Sequence, residues 1–349
     1  MTPATPPEPA LDAADGRLGL ARRYAPGVVL TLIITWAAFG LRTVESLQAL
    51  SPLILAMLLG MAIRNLIGVP EPARPGVVFS QRRLIRMAIV LLGLQFTVGQ
   101  IALIGLPGLG VAAAALGATF LFSLWLGRLL GIERGFAVLI AGGVSVCGAS
   151  AITAFNTVVR ADDEDAAYAV AAITAFGALA MFAFPLTPAV LDLAPRAYGI
   201  WTGAAVHEIA QVAGAGFQNG PAAGEAAMVT KLSRVVLLAP LVLVFAWASR
   251  RTWASGEAGP SAAAAAPPWF LFGFMGMVAI ASLIPLPPLV VRTSAEVVTF
   301  MMTMALAAMG LEVDIARLKR KGFRPLVLAG AASLFIAGLS LGLIKAWGV

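Results

Sequence analysis

The stretch "AGGVSVCGASAITAF", Ala141 to Phe155, decides how the rest of the chain is read. Three glycines, two serines and the only cysteine interrupt a run that is otherwise apolar. Glycine has no Cβ and weakens a helix by about 1 kcal/mol relative to alanine. Such a run either lets helices approach closely or marks a helix meant to break. In hydrocarbon, a break survives only where protein or a cavity shields the freed backbone groups. It also exposes N–H groups at a positive helix end, which suits an anion. Gly142, Gly143 and Gly148 would permit the break, and Ser145 and Ser150 would add donors. Composition by itself favours close packing, with Cys147 as a small buried apolar residue.

The surroundings of that stretch are membrane-like. The chain has 349 residues, 60% hydrophobic and 12% charged, with mean hydropathy +0.92. Soluble domains carry about 25% charged residues. Apolar runs of about 20 residues, long enough to cross a ~30 Å hydrocarbon core, recur along the sequence. They read at 26–44, 50–68, 84–105, 107–130, 134–158, 165–190, 198–217, 226–248, 268–286, 290–312 and 324–347. The fold class is therefore all-α, a polytopic membrane protein of about 11 transmembrane helices. Residues 1–25, rich in Pro, Ala and Asp, read as a disordered tail without a cleavage site. The stretch 250–267 reads as a flexible linker.

Net charge is +7, and the sequence pI is near 10.3. The arginines sit in short loops, as topology requires, so nucleic acid is not an expected partner. Alternate loops hold 18 basic residues against 4, which puts the N-terminus in the cytoplasm and the C-terminus outside. Two basic residues, Lys231 and Arg234, fall inside the eighth span. A short echo, Met87–Gly105 against Met304–Gly322, shares Met, Gly-Leu and Gly at one spacing. It suits an inverted duplication and also suits chance.

The polar groups inside spans are the candidates for chemistry. "GAAVHEIAQVAGAGFQNG" holds the only histidine, His207, beside Glu208, with Gln211 a turn further on. Intramembrane ionisable groups are costly and rare, so function competes with a structural pair locking two helices. Lys231 and Arg234 share a helix face at i and i+3. Glu208 can neutralise one of them; the remaining positive charge would suit an oxyanion. The competing reading is snorkelling to the interface, easier for Lys231 than for Arg234. Gln95, Thr97 and Gln100 add polarity, and Glu312 and Asp314 read as solvated carboxylates at a span end. No P-loop is present, and one cysteine with one histidine forms neither a disulfide framework nor a zinc constellation. No cofactor or metal is expected.

"GVSVCGASAI", "HEIAQVAGAG", "KLSRVVLLAP" and "MGLEVDIARLKRKGFRPL" resemble signatures of the bacterial inner-membrane sulfate exporter family of YeiH type. The resemblance runs from about residue 30 to the C-terminus. It implies membership of the cation/proton antiporter and anion transporter superfamily. It further implies inverted repeats, a panel and a core, and broken helices crossing near the midplane. On that basis residues 26–349 form one transmembrane transporter domain in the inner membrane. The expected function is secondary export of a small oxyanion, sulfate or a sulfonate, by alternating access. Ser145, Cys147, Gly148, Ser150, Lys231 and Arg234 would bind it, and His207, Glu208 and Gln211 would couple or gate. Partners are then the anion, the lipid bilayer and a proton or sodium ion, with a homodimer admissible. The rivals are a sodium- or proton-coupled carrier of organic acids, a thiol enzyme using Cys147 with His207, and a scaffold or sensor.

Overall fold

The computed structural model describes residues 16–249, 269–316 and 322–348. The expected linker and most of the expected tail lie outside those residues; α1 begins at Gly16, within the segment read as tail. In chain order the helices are α1 (Gly16–Leu41), α2 (Pro52–Leu66), α3 (Arg74–Phe79), α4 (Ile85–Leu92), α5 (Val98–Leu129), α6 (Arg134–Ser145), α7 (Ala149–Val159) and α8 (Asp163–Ala183). They continue as α9 (Pro188–Leu191), α10 (Pro195–Ala205), α11 (Ile209–Gln218), α12 (Pro221–Ser249), α13 (Trp269–Leu283), α14 (Pro288–Glu312) and α15 (Phe323–Trp347). Among the described residues there is no strand. Among the described residues, six helical segments are long and apolar enough to cross a membrane: Arg22–Leu41, Gly108–Leu129, Asp163–Leu186, Pro221–Ala248, Pro288–Glu312 and Phe323–Trp347. The remaining apolar segments are shorter or broken.

Two bundles share the chain. One holds α1 to α4 with α13 and α14; the other holds α5 to α8, α10 to α12 and α15. They meet along a narrow strip where α11 touches α14 and α2, and α13 touches α5. In the first bundle, α3 and α4 are joined through a π-helical turn, Ser80–Leu84, and the pair ends at Gln95. The span expected at 84–105 therefore starts ten residues earlier, at Arg74, and stops before Phe96. Arg82, Arg83 and Arg86, read from sequence as loop charges, stand on helical turns.

The decisive difference lies in the segments 134–158 and 198–217, each expected to be one span. Each is a helical hairpin. A Cβ on Gly142 would lie 2.3 Å from the Phe155 ring, and one on Gly135 3.4 Å from the Ala161 Cβ. A continuous helix would hold Gly135 and Ala161 about 39 Å apart at 1.5 Å per residue. Likewise Tyr198 Oη, in the first turn of α10, donates to Ala215 O near the end of α11 at 3.0 Å. The reversals occur because the connecting residues leave helical space. Gly148 has φ +64°, a region open to glycine at little cost. Val206 and Glu208 are extended, with ψ 143° and 146°.

Helix α8 orders the hairpins. The base of the first lies at its start, through Gly135 and Ala161. The base of the second lies past its end, where Asn219 Nδ2 donates to Pro185 O at 3.5 Å. Both tips reach its middle: Ile173 packs on Gly143, and Thr174 O accepts from Gln211 Nε2 at 2.9 Å. The hairpins thus approach from opposite ends of one helix about 31 Å long and meet halfway.

Paired cysteines at Gly135 and Ala161, in a Cys147→Ser background, are expected to form a disulfide, since their Cβ separation is close to disulfide geometry. Failure to cross-link under oxidation, read on a gel after cleavage between them, would return α6–α7 to a single span.

Candidate functional site

The two tips form one site because α12 passes beside both. α10 runs parallel to α12, with a Cβ on Gly199 falling 2.3 Å from Ala223 O and one on Gly203 2.3 Å from Ala227 O. That register brings Lys231 and Arg234, neighbours on one face of α12, level with the break at residues 206–208. Both side chains are 0% exposed.

Their hydrogen bonds go to backbone. Lys231 Nζ donates to Val146 O at 2.7 Å and to Val206 O at 2.9 Å, one carbonyl from each hairpin. Arg234 Nε donates to Ser145 O at 3.2 Å. Its Nη1 reaches Gly203 O at 3.0 Å and Val206 O at 3.5 Å. Its Nη2 reaches Val144 O at 3.1 Å and also Ser145 O. All five guanidinium N–H groups are thereby engaged. These carbonyls are the unsatisfied ends of α6 and α10, where each helix dipole is negative. Sequence reasoning assigned both cations to an incoming anion. In the structure Arg234 has no N–H left for one, because two interrupted helices already claim them.

The opposite helix ends face Glu208. It is the N-cap of α11, in a capping box with Gln211: the carboxylate accepts from the Gln211 N–H, and Glu208 N donates to Gln211 Oε1 at 3.2 Å. Glu208 Oε1 also accepts from Ala149 N, the first residue of α7, at 3.2 Å. One carboxylate therefore sits at two positive helix ends. Gly148 makes room for it, since a Cβ there would lie 2.3 Å from Oε1. Among the described residues, the N–H groups of Ser150, Ile209 and Ala210 in the same first turns donate to no protein acceptor.

His207 Nε2 lies 2.7 Å from Ser333 Oγ. The Ser333 hydroxyl gives its own proton to Ala329 O, so its oxygen accepts and His207 Nε2 carries the hydrogen, a tautomer assigned from the network. His207 Nδ1 is buried without a partner, as is Ser145 Oγ. Cys147 is buried in the first tip, and with Nδ1 unbonded it is not hydrogen-bonded to His207. The arrangement assembles Ser145, Cys147, Gly148, His207, Glu208, Gln211, Lys231 and Arg234 around one point. Ser150 stands beside it on the exposed side of α7.

Sequence reasoning missed the space next to that point. A cavity of about 420 Å³ is lined by Arg82, Thr153, Asn156, Thr157 and Val170, among others. Ser150, Thr153 and Thr157 share one exposed face of α7, so the cavity lies a turn from the tip. Asn156 Oδ1 is buried there without a partner. Arg82 makes no ion pair within 4 Å among the described residues. The signal was available: "SAITAFNT" carries a polar stripe at helical spacing. A second cavity, of about 450 Å³, lies at the base of the other hairpin between the bundles, lined by Arg42, Ser51, Gln95, Gln218, Glu225 and Thr299. Gln218 ties the bundles there, accepting from Ser51 N at 2.7 Å and donating to Ala49 O. Of the two carboxylates read as solvated, Asp314 pairs with Arg64 at 2.7 Å, and Glu312 is largely buried, bonded to Gln81 and facing Arg82.

The family described as Conserved hypothetical protein 698 matches residues 26–329. The UPF0324 membrane protein of Bordetella bronchiseptica is 37% identical over 300 residues, covering 84% of this chain and 93% of the relative. That of Pseudomonas aeruginosa is 36% identical over 337 residues, covering 93% and 94%. The UPF0324 inner membrane protein YeiH of Salmonella typhimurium is 34% identical over 330 residues, covering 92% and 94%. No solved structure matches.

Arg234→Met keeps most of the stem and removes the donors from the carbonyls of Val144, Ser145 and Gly203, while Val206 O keeps Lys231; each carbonyl left unpaired costs about 1–3 kcal/mol. It is expected to melt far below the wild-type protein in detergent, with Arg234→Lys between them. Wild-type melting of Arg234→Met would show that the carbonyls do not depend on the guanidinium.

Proposed function

The chain belongs to the family described as Conserved hypothetical protein 698, the UPF0324 membrane proteins, and on that premise we propose that it is a secondary carrier exporting a small oxyanion, sulfate or a sulfonate. The observation that carries this reading is the set of unpartnered amides at the two helix N-termini, a turn from a cavity holding Arg82. Helix N-termini with free N–H groups take anions, and Arg is a strong partner for tetrahedral oxyanions. Buried charge points the same way: the three cations of the region, Lys231, Arg234 and Arg82, outnumber its two carboxylates, Glu208 and Glu312. In this role Lys231 and Arg234 hold the tips and supply field; Ser150, the tip amides and Arg82 meet the anion.

The proposed topology has nine crossings and two re-entrant hairpins, not eleven crossings. The first hairpin dips in from the cytoplasm and the second from outside, with the N-terminus cytoplasmic and the C-terminus outside. Compared with eleven crossings, this moves Arg160 inside and Arg196 outside, so the basic count remains 18 against 4. The Arg82 cavity then opens toward the cytoplasm and the Gln218 cavity toward the exterior. Cysteines at Asp162 and Ala194, each placed in a Cys147→Ser background, separate the two topologies. An impermeant thiol reagent applied outside intact cells is expected to label position 194 and spare 162; the reverse pattern restores eleven crossings.

Binding is tested by melting the purified protein against sulfate, sulfonates, carboxylates and chloride. A ligand at 100 times its Kd stabilises the folded state by about 2.7 kcal/mol. Sulfate or a sulfonate is expected to raise the midpoint selectively, and Arg82→Gln to weaken that response about tenfold or more without shifting the ligand-free melt. Selective stabilisation by carboxylates would favour the organic-acid carrier instead, and labelled-sulfate flux in vesicles decides transport itself.

A further inference from the structure

We propose that Lys231 and Arg234 are built-in substitutes for coupling cations, so that the protein works without sodium. The inference rests on the carrier reading, but it concerns the tip carbonyls, whose behaviour can be measured without transport. In carriers with interrupted helices, unwound carbonyls and helix C-terminal ends are the groups that coordinate Na⁺. Here those groups are the carbonyls of Val144, Ser145 and Val146 in one tip and of Gly203 and Val206 in the other. Each accepts a hydrogen bond from an ammonium or a guanidinium fixed to α12. The Lys231 ammonium bridges the two hairpins at 2.7 Å and 2.9 Å, the place where a shared monovalent ion would have to sit. A mobile cation would need to displace a tethered one that is fully buried.

The carboxylate needed to assist Na⁺ is also committed elsewhere. Glu208 accepts from the Ala149 and Gln211 N–H groups at the N-terminal helix ends, whereas the open carbonyls belong to the C-terminal ends of α6 and α10. Among the described residues, no group of three or more His, Cys, Asp or Glu side chains could hold a metal ion. The positive charge that balances the helix ends therefore stays with the protein throughout a cycle.

The test compares NaCl, KCl and choline chloride at equal ionic strength. The wild-type melting midpoint is expected to be the same in all three. Lys231→Ala vacates the space between Val146 O and Val206 O. If it folds, its midpoint is expected to rise by about 3 °C or more with Na⁺ or methylammonium, and not with choline. A wild-type midpoint that depends on Na⁺ overturns the proposal. So does a folded Lys231→Ala protein that ignores every small cation, because its carbonyls would then need no cation. Should Lys231→Ala not fold, the wild-type comparison decides. Vesicle flux lost when choline replaces Na⁺ outside and inside would overturn sodium independence; flux absent in every salt would count against the carrier reading, and the melts would still decide the cation substitution.

Discussion

The structure depends on backbone carbonyls that two interrupted helices leave open in the protein interior. Without water, each such group must find a donor or destabilise the fold by a few kcal/mol. α6 and α10 stop within a few residues of one another in space, so the cost is concentrated and is joined by two negative dipole ends. Lys231 and Arg234 answer both demands together, with fixed positive charge and enough N–H groups to serve five carbonyls. Apolar or singly polar side chains on α12 would leave most of them bare. The packing of α10 flush against α12, through Gly199 and Gly203, sets the register that makes the contact.

The complementary ends are held differently. Glu208 spans the N-termini of α7 and α11 and leaves several amides unoccupied. One side of the breaks is therefore saturated and the other is not. That asymmetry decides where a ligand can add favourable interactions: at the amide side, toward Ser150 and the Arg82 cavity. It also separates two roles for positive charge: a structural pair on α12 and, in the proposed carrier, Arg82 on the π turn beside the cavity.

Much of this was legible in the sequence, though not its geometry. The all-helical class followed from hydropathy; the glycine run by itself favoured close packing, and only the family resemblance turned the reading toward a break. His207, Glu208, Gln211, Lys231 and Arg234 stood out as polar groups inside apolar spans, and the structure gathers them. The hairpins were hidden because an apolar stretch of about 25 residues reads the same whether it crosses or turns back; only tertiary contacts such as Gly135 with Ala161 tell the two apart. Charge counting had no power here, since exchanging Arg160 for Arg196 leaves the bias untouched. Arg82 was missed because three arginines in "QRRLIR" look like a loop, whereas a π turn carries Arg82 and Arg83 and α4 carries Arg86. The partners of Lys231 and Arg234 were unreadable for a simpler reason. They are main-chain atoms, which every residue type presents alike.

The same seven hydrogen bonds have a mechanical meaning. Lys231 and Arg234 each hold both tips, so neither hairpin can swing away alone without stripping charged groups from carbonyls in a dry interior. Releasing one hairpin breaks four of these bonds at the first tip or three at the second; at about 1.5 kcal/mol or more per bond to a charged group, that adds roughly 5 kcal/mol or more, a slowing of at least about a thousand-fold. The tips are thus latched to one another through α12. In the proposed carrier the two hairpins therefore move together, and relative motion falls to the weakly joined seam between the two bundles.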